Sequence, residues 1–128
     1  MIAEYTFKAF SWIDVQNPTK EELRLLQQNY GLSYEVVNDL LEPQSDTRVS
    51  MIDNQFYCAF HVVSSFSLET QPEWYELDII LIGNTLITVV YDAIPAIVSL
   101  RQELEIETTL KNRLNITIEQ FLSGLLQK

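Results

Sequence analysis

Residues 31–57 read Gly-Leu-Ser-Tyr-Glu-Val-Val-Asn-Asp-Leu-Leu-Glu-Pro-Gln-Ser-Asp-Thr-Arg-Val-Ser-Met-Ile-Asp-Asn-Gln-Phe-Tyr. Gly31 stops one helix, Ser33 opens a second with Val36, Val37, Leu40 and Leu41 on its inward face, and Pro43 ends it. The polar connector Gln44-Ser45-Asp46 leads into a strand over residues 47–52, and Asp53-Asn54 turns it into another over 55–66. Three kinds of element are thus packed into one short span. Two carboxylates, Asp39 and Glu42, fall near the end of the second helix, where the helix dipole gives a negative charge no support. Such groups either stay in water or meet a cation.

Upstream, Tyr5, Phe7 and Ala9 alternate with polar residues before the apolar parity shifts to Phe10 and Trp12, as expected of a bulged strand or two short strands meeting at a bend. Thr19 and Glu22 have capping-box spacing, Glu21 and Glu22 suit the first turn, and Leu23, Leu26 and Tyr30 recur at helical spacing, so a helix spans residues 19–30. Downstream, the strand from Gln55 puts Phe56, Cys58, Phe60 and Val62 on one side and Tyr57, Ala59, His61 and Val63 on the other, a pattern covered on both faces. A polar loop over 64–73 precedes a second hairpin, 74–82 and 85–91, joined at Gly83-Asn84. From Ile94 the period turns helical to about residue 107, with Pro95 in the first turn, and Thr117 with Gln120 caps a last helix that reaches Lys128 without a stop signal. The order predicts one α/β (α+β) domain over residues 1–128: a mostly antiparallel mixed sheet sandwiched between helices on both faces, α/β/α.

Composition narrows the function. With 128 residues the chain has room for one core, and 18 acidic against 8 basic side chains give a net charge of −10. That field repels phosphate backbones and anionic lipid, which argues against nucleic acid as a partner, and it attracts divalent cations. The lone Cys58 in a strand is expected to be a buried thiol in a reducing compartment. No apolar tract reaches the ~20 residues a membrane helix needs, and the N-terminus lacks the pattern of a signal peptide.

Catalytic machinery is missing from the pattern. The single histidine, His61, sits mid-strand and reads as a hydrogen-bonded core residue, and there is no phosphate loop, nucleophile elbow or Cys/His pair, so no enzyme and no organic cofactor is expected. Asp39, Glu42, Asp46 and Asp53 are spaced too widely for a calcium loop; Asp46 and Asp53 read as solvated surface, Asp53 as a turn former. Asp39 differs, because Val36, Val37, Leu40 and Leu41 anchor its flank while its carboxylate projects from the edge of the apolar face. Mg²⁺ keeps most of its waters and accepts one or two carboxylates, often from separate chains. Asp39 suits one such ligand.

Several pieces then fall in a telling order: Trp12-Ile13-Asp14-Val15, Pro18-Thr19 with Glu21-Glu22-Leu23, Tyr30-Gly31-Leu32, Val37 with Asp39-Leu40-Leu41, Arg48-Val49, Asn54-Gln55-Phe56-Tyr57, and Gly83-Asn84-Thr85-Leu86-Ile87-Thr88-Val89. Together they resemble the cytoplasmic N-terminal domain of the CorA family of magnesium and cobalt transporters. The resemblance implies a regulatory domain at the cytoplasmic face of the membrane, leading through a stalk helix into two membrane helices, in a homopentamer around one pore. The stalk and the Gly-Met-Asn signature would lie beyond Lys128, and this piece alone would be a monomer or weak dimer. Asp39 would be half of an inter-subunit regulatory Mg²⁺ site, opposite an acid on the neighbour's stalk. The chain departs from the family at Asn38 and Gln127, where some members carry acids, and at Asp46-Thr47-Arg48, where a more basic run is usual; this puts a second regulatory cation in doubt. Two alternatives stay open: the zinc-exporting branch of the same family, and a free-standing acidic interaction module with no membrane part.

Overall fold

Two apolar sets alternating along the inner strands require cover on both sides of a sheet, and the computed structural model provides it. It describes residues 1–41, 47–52, 54–63, 74–92, 94, 97–99 and 101–102. Strands β1 (Ile2–Thr6), β2 (Ser11–Gln16), β3 (Arg48–Ile52), β4 (Gln55–Val63), β5 (Trp74–Ile82) and β6 (Thr85–Val90) form one sheet in the order β1-β2-β6-β5-β4-β3. Only β2 and β6 run parallel, from Ser11 opposite Thr85 to Gln16 opposite Val90; the other pairs are antiparallel. A parallel pair needs a long crossover, and everything between β2 and β6 supplies it. The parity shift near Phe10 is thus two short strands and not a bulge: Phe7 N–H donates to Phe10 C=O at 2.8 Å and closes the β1–β2 turn.

Helices α1 (Lys20–Tyr30) and α2 (Tyr34–Leu41) cover one face. The Thr19–Glu22 capping box forms in full, and Gly31 ends α1 at φ 71°. The N-terminal ammonium, 2.9 Å from Glu22, and the Thr19 N–H hold the Glu22 carboxyl below its usual range. Leu23, Leu26, Val36, Val37 and Leu40 pack on Ile13, Val15, Ile80, Ile87 and Val89. Each such side chain contributes about 1.5–3 kcal/mol by leaving water. On the other face Phe7, Phe10, Trp12, Leu77, Ile79, Leu86 and Val90 meet Ile94 and Ile97. Residues 97–99 and 101–102 are helical, with Val98 N–H donating to Ile94 C=O at 3.0 Å. The Trp12 indole N–H, buried in this layer, donates to Thr88 Oγ1 at 2.8 Å.

Three expectations are corrected or left outside the described residues. Leu41 does not face inward but is 38% exposed, because it follows Val37 along the rim of the buried stripe just where α2 ends. Cys58 is half-buried rather than buried. It shares its face with Phe56, also half-buried, and with Val49 and Met51 of β3, which are exposed, so at Phe56 and Cys58 β4 is less tightly covered than at Tyr57 and Ala59 on the other side. Glu42, Pro43, Asp46, Asp53, the 64–73 loop and the helix from Thr117 lie outside the described residues.

Candidate functional site

Asp39 lies half-exposed in the last turn of α2, beside the buried Leu40. The helix is fixed at both ends by groups other than this carboxylate. At its start Ser33 Oγ accepts from Val36 N–H at 3.2 Å. Gln55 of β4 clamps the corner between the helices: its Oε1 accepts from Ser33 N–H at 3.0 Å, and its amide donates to Gly31 C=O. At its end the Tyr91 hydroxyl stands 3.0 Å from Leu40 C=O and 2.8 Å from Asp78 Oδ2.

The sheet under that turn carries a polar row. Arg48 of β3 pairs with Ala59 of β4, which pairs with Asp78 of β5, so the small alanine separates a cation from a buried acid. Next along the same face, His61 pairs with Glu76. Arg48 Nη2 donates to Tyr57 Oη at 3.2 Å and the guanidinium lies 5.9 Å from the ring centre. Its Nε and Nη1 make no hydrogen bond among the described residues. Burial works against the charge of Arg48, but the influence of Tyr57, Asp39, Glu76 and Asp78 outweighs it and holds the guanidinium more firmly protonated than usual.

Asp78 is fully buried. Desolvation first, and then the charge of Glu76 and a hydrogen bond to its carboxyl, push Asp78 up to about 8, against the opposing pull of Tyr91 and Arg48. Burial and the charge of Asp78 push the Tyr57 and Tyr91 phenols well above their ordinary range. The row thus pairs the Arg48 cation with an acid whose neutral form the fold favours.

A second buried acid, Asp14 of β2, faces the opposite layer. Its Oδ2 accepts from Arg101 Nε at 2.7 Å and Gln16 Nε2 at 3.2 Å, with Arg101 Nη2 at 2.6 Å, while Oδ1 has no hydrogen-bond partner among the described residues. Beside this pair is a cavity of about 100 Å³ lined by Gln16, Asn17, Asp92, Ile94, Ile97 and Arg101, among others.

Sequence pattern did not single out Asp14 or Asp78. The signal for both was present, because each is a carboxylate flanked by large apolar residues inside a strand, Ile13-Asp14-Val15 and Leu77-Asp78-Ile79. Asp39 is brought to the rim of the Arg48–Asp78 row. Among the described residues, however, no three His, Cys, Asp or Glu side chains converge as a metal set. Asp39 can offer one oxygen-donor group to a hydrated hard cation and needs other ligands from elsewhere.

The profile of the family described as CorA-like Mg²⁺ transporter protein matches residues 7–128. The chain belongs to this CorA-like family. No curated protein sequence matches it. Among solved structures it is similar to the complete CorA magnesium transporter from Methanocaldococcus jannaschii, at 25% identity and a TM-score of 0.72, covering 93% of this chain and 36% of that one. The soluble domain of the same CorA gives 22% identity and a TM-score of 0.73, over 99% of this chain and 54% of that one. The ZntB cytoplasmic domain from Vibrio parahaemolyticus gives 16% and 0.71, over 95% and 48%. The CorA-like chain thus spans about half or less of these relatives, and the last two share its fold. Proteins of the family are transporters. Among the described residues no helix is long and apolar enough to cross a membrane.

Proposed function

We propose that the chain is the cytoplasmic cation-sensing and gating domain of a CorA-type Mg²⁺ transporter or channel, one that also accepts Co²⁺. The family match over residues 7–128 carries the reading. In the complete protein this single domain leads into stalk and membrane helices and works in a homopentamer. Asp39 gives one ligand to a regulatory Mg²⁺ shared with the neighbouring subunit. A bound dication offsets carboxylate repulsion across the interface and favours the closed ring; its loss loosens the ring. The firm attachment of α2 supports this role, because a carboxylate on a helix fixed at both ends meets a neighbour at a defined position. No enzymatic step is assigned to the chain.

The test is Asp39→Ala in the full-length protein, with Mg²⁺ flux measured against internal Mg²⁺. The variant is expected to stay open at internal concentrations that close the wild type; unchanged closure would remove Asp39 from the mechanism. The fold does not separate a Mg²⁺ importer from a zinc exporter, since the CorA and ZntB domains match it with TM-scores of 0.73 and 0.71. Parallel flux measurements with Mg²⁺, Co²⁺ and Zn²⁺ decide between them.

A further inference from the structure

We propose that Asp78, together with Glu76, is a proton-binding site whose occupancy decides whether the Tyr91 hydroxyl holds the end of α2. Tyr91 has one hydroxyl hydrogen and two acceptors in reach, Asp78 Oδ2 at 2.8 Å and Leu40 C=O at 3.0 Å. The Leu40 carbonyl is among the last four of α2, which have no partner within the helix. When Asp78 carries a proton, that O–H lies in the hydrogen bond toward Glu76, Oδ2 is left a neutral and weaker acceptor, and the tyrosine hydrogen turns to the Leu40 carbonyl. When that proton leaves to solvent, the tyrosine hydrogen turns to the charged carboxylate, because bonds to ionised acceptors are about twice as strong as neutral ones. The Leu40 carbonyl then loses the Tyr91 donor. One proton is exchanged with water, and no covalent bond other than that O–H is broken.

The surroundings place this exchange near neutrality. Asp78 is fully buried, and Glu76 is two residues away on the same face of β5. Among the described residues, the titratable and charged groups around the site are Asp39 on α2, Arg48 on β3, Tyr57 and His61 on β4, Glu76 on β5, and Tyr91 after β6; Cys58 lies through the sheet on the other face. Among these the one permanent cation is Arg48, which lies at the far side of Ala59 and donates to Tyr57. Desolvation and the neighbouring Glu76 carboxyl outweigh Tyr91 and Arg48 and push Asp78 up to about 8. The device requires no metal and stands whether or not Asp39 binds one.

The test follows two signals in the full chain as pH rises from 6 to 10: the infrared band of a protonated carboxyl, and the ¹³C shift of the Leu40 backbone carbonyl. In the wild type both are expected to change together, with a midpoint near pH 8. Asp78→Asn should abolish both changes. Glu76→Gln removes the repelling charge and should lower the common midpoint by about one pH unit or more. Tyr91→Phe should leave the infrared titration in place but uncouple Leu40 from it. The proposal is overturned if no carboxyl band titrates in this range, if the band titrates equally in Asp78→Asn, or if Leu40 responds equally in Tyr91→Phe. Should Tyr91→Phe fail to fold, the midpoint in Glu76→Gln decides: an unchanged midpoint refutes the shared site.

Discussion

The Arg101 guanidinium converges on a single oxygen of Asp14, with Nε at 2.7 Å and Nη2 at 2.6 Å. Asp14 is fully buried on β2, while Arg101 belongs to the helical stretch on that face, so one ion pair ties helix to sheet. Removing one partner of a buried pair leaves an uncompensated charge. Arg101→Met is therefore expected to destabilise the chain by about 3–5 kcal/mol. The double variant Asp14→Asn with Arg101→Met should recover much of that loss, because the stranded charge is gone. Denaturant unfolding of the four proteins in a mutant cycle measures both values, and additive effects would show that the pair is not coupled.

The weakened acidity of Asp78 gives a pH dependence whose sign can be stated. The folded chain holds the proton up to about pH 8, whereas the unfolded chain releases it near the ordinary 3.8. Between these values the native state binds more protons, so the contribution of Asp78 to stability declines as pH rises from about 4 to about 8 and is level beyond. Asp78→Asn escapes this decline. Its stability relative to wild type should improve by a few kcal/mol between pH 5 and pH 9, with about 1.4 kcal/mol for each tenfold difference in proton affinity between the folded and unfolded chain as an upper bound. Chemical denaturation at the two pH values checks it, and a constant difference would mean that Asp78 ionises normally in the fold.

Gln55 links three elements through one side chain. Gln55→Leu leaves the Ser33 N–H and the Gly31 C=O without the partner they have now, with an expected cost of about 1–3 kcal/mol. Gly31→Ala tests the same corner differently. A methyl group there meets nothing within 4 Å, so the expected loss of about 1–2 kcal/mol comes from the left-handed backbone at φ 71°. Thermal unfolding of the two variants measures each effect.

The local grammar of the chain was legible where one residue type does one job. Thr19 with Glu22 and Gly31 marked the ends of α1, Ser33 marked the start of α2, and Gly83-Asn84 marked the second turn, since each depends only on nearby backbone chemistry. The mostly antiparallel sheet with helical cover followed from the alternation of the inner strands. The parallel pairing of β2 with β6 was not legible, because it joins residues more than seventy positions apart and depends on how the crossover packs. The half-burial of Cys58 escaped for a similar reason: cover on its face is a matter of which strands the neighbouring helix reaches. The acids failed in the opposite direction. Asp39 attracted notice as a carboxylate at the edge of an apolar stripe, while Asp14 and Asp78, inside strands, are the ones the fold buries and pairs.

Asp39 should separate folding from cation sensing. It is half-exposed, and no described residue hydrogen-bonds its carboxylate, so Asp39→Ala is expected to change the stability of the metal-free chain by no more than about 0.5 kcal/mol. A ligand stabilises a protein only as far as it binds the native state, and one carboxylate holds a hydrated Mg²⁺ weakly. Millimolar Mg²⁺ should therefore raise the melting temperature of this chain equally, or not at all, in wild type and Asp39→Ala. In the full-length assembly, where a neighbouring subunit supplies the remaining ligands, Mg²⁺ should stabilise the wild type more than the variant. Scanning calorimetry of both forms with and without Mg²⁺ gives the comparison. A Mg²⁺-dependent difference already present in this chain as a monomer would mean that one copy completes the site, and the shared arrangement would have to be abandoned.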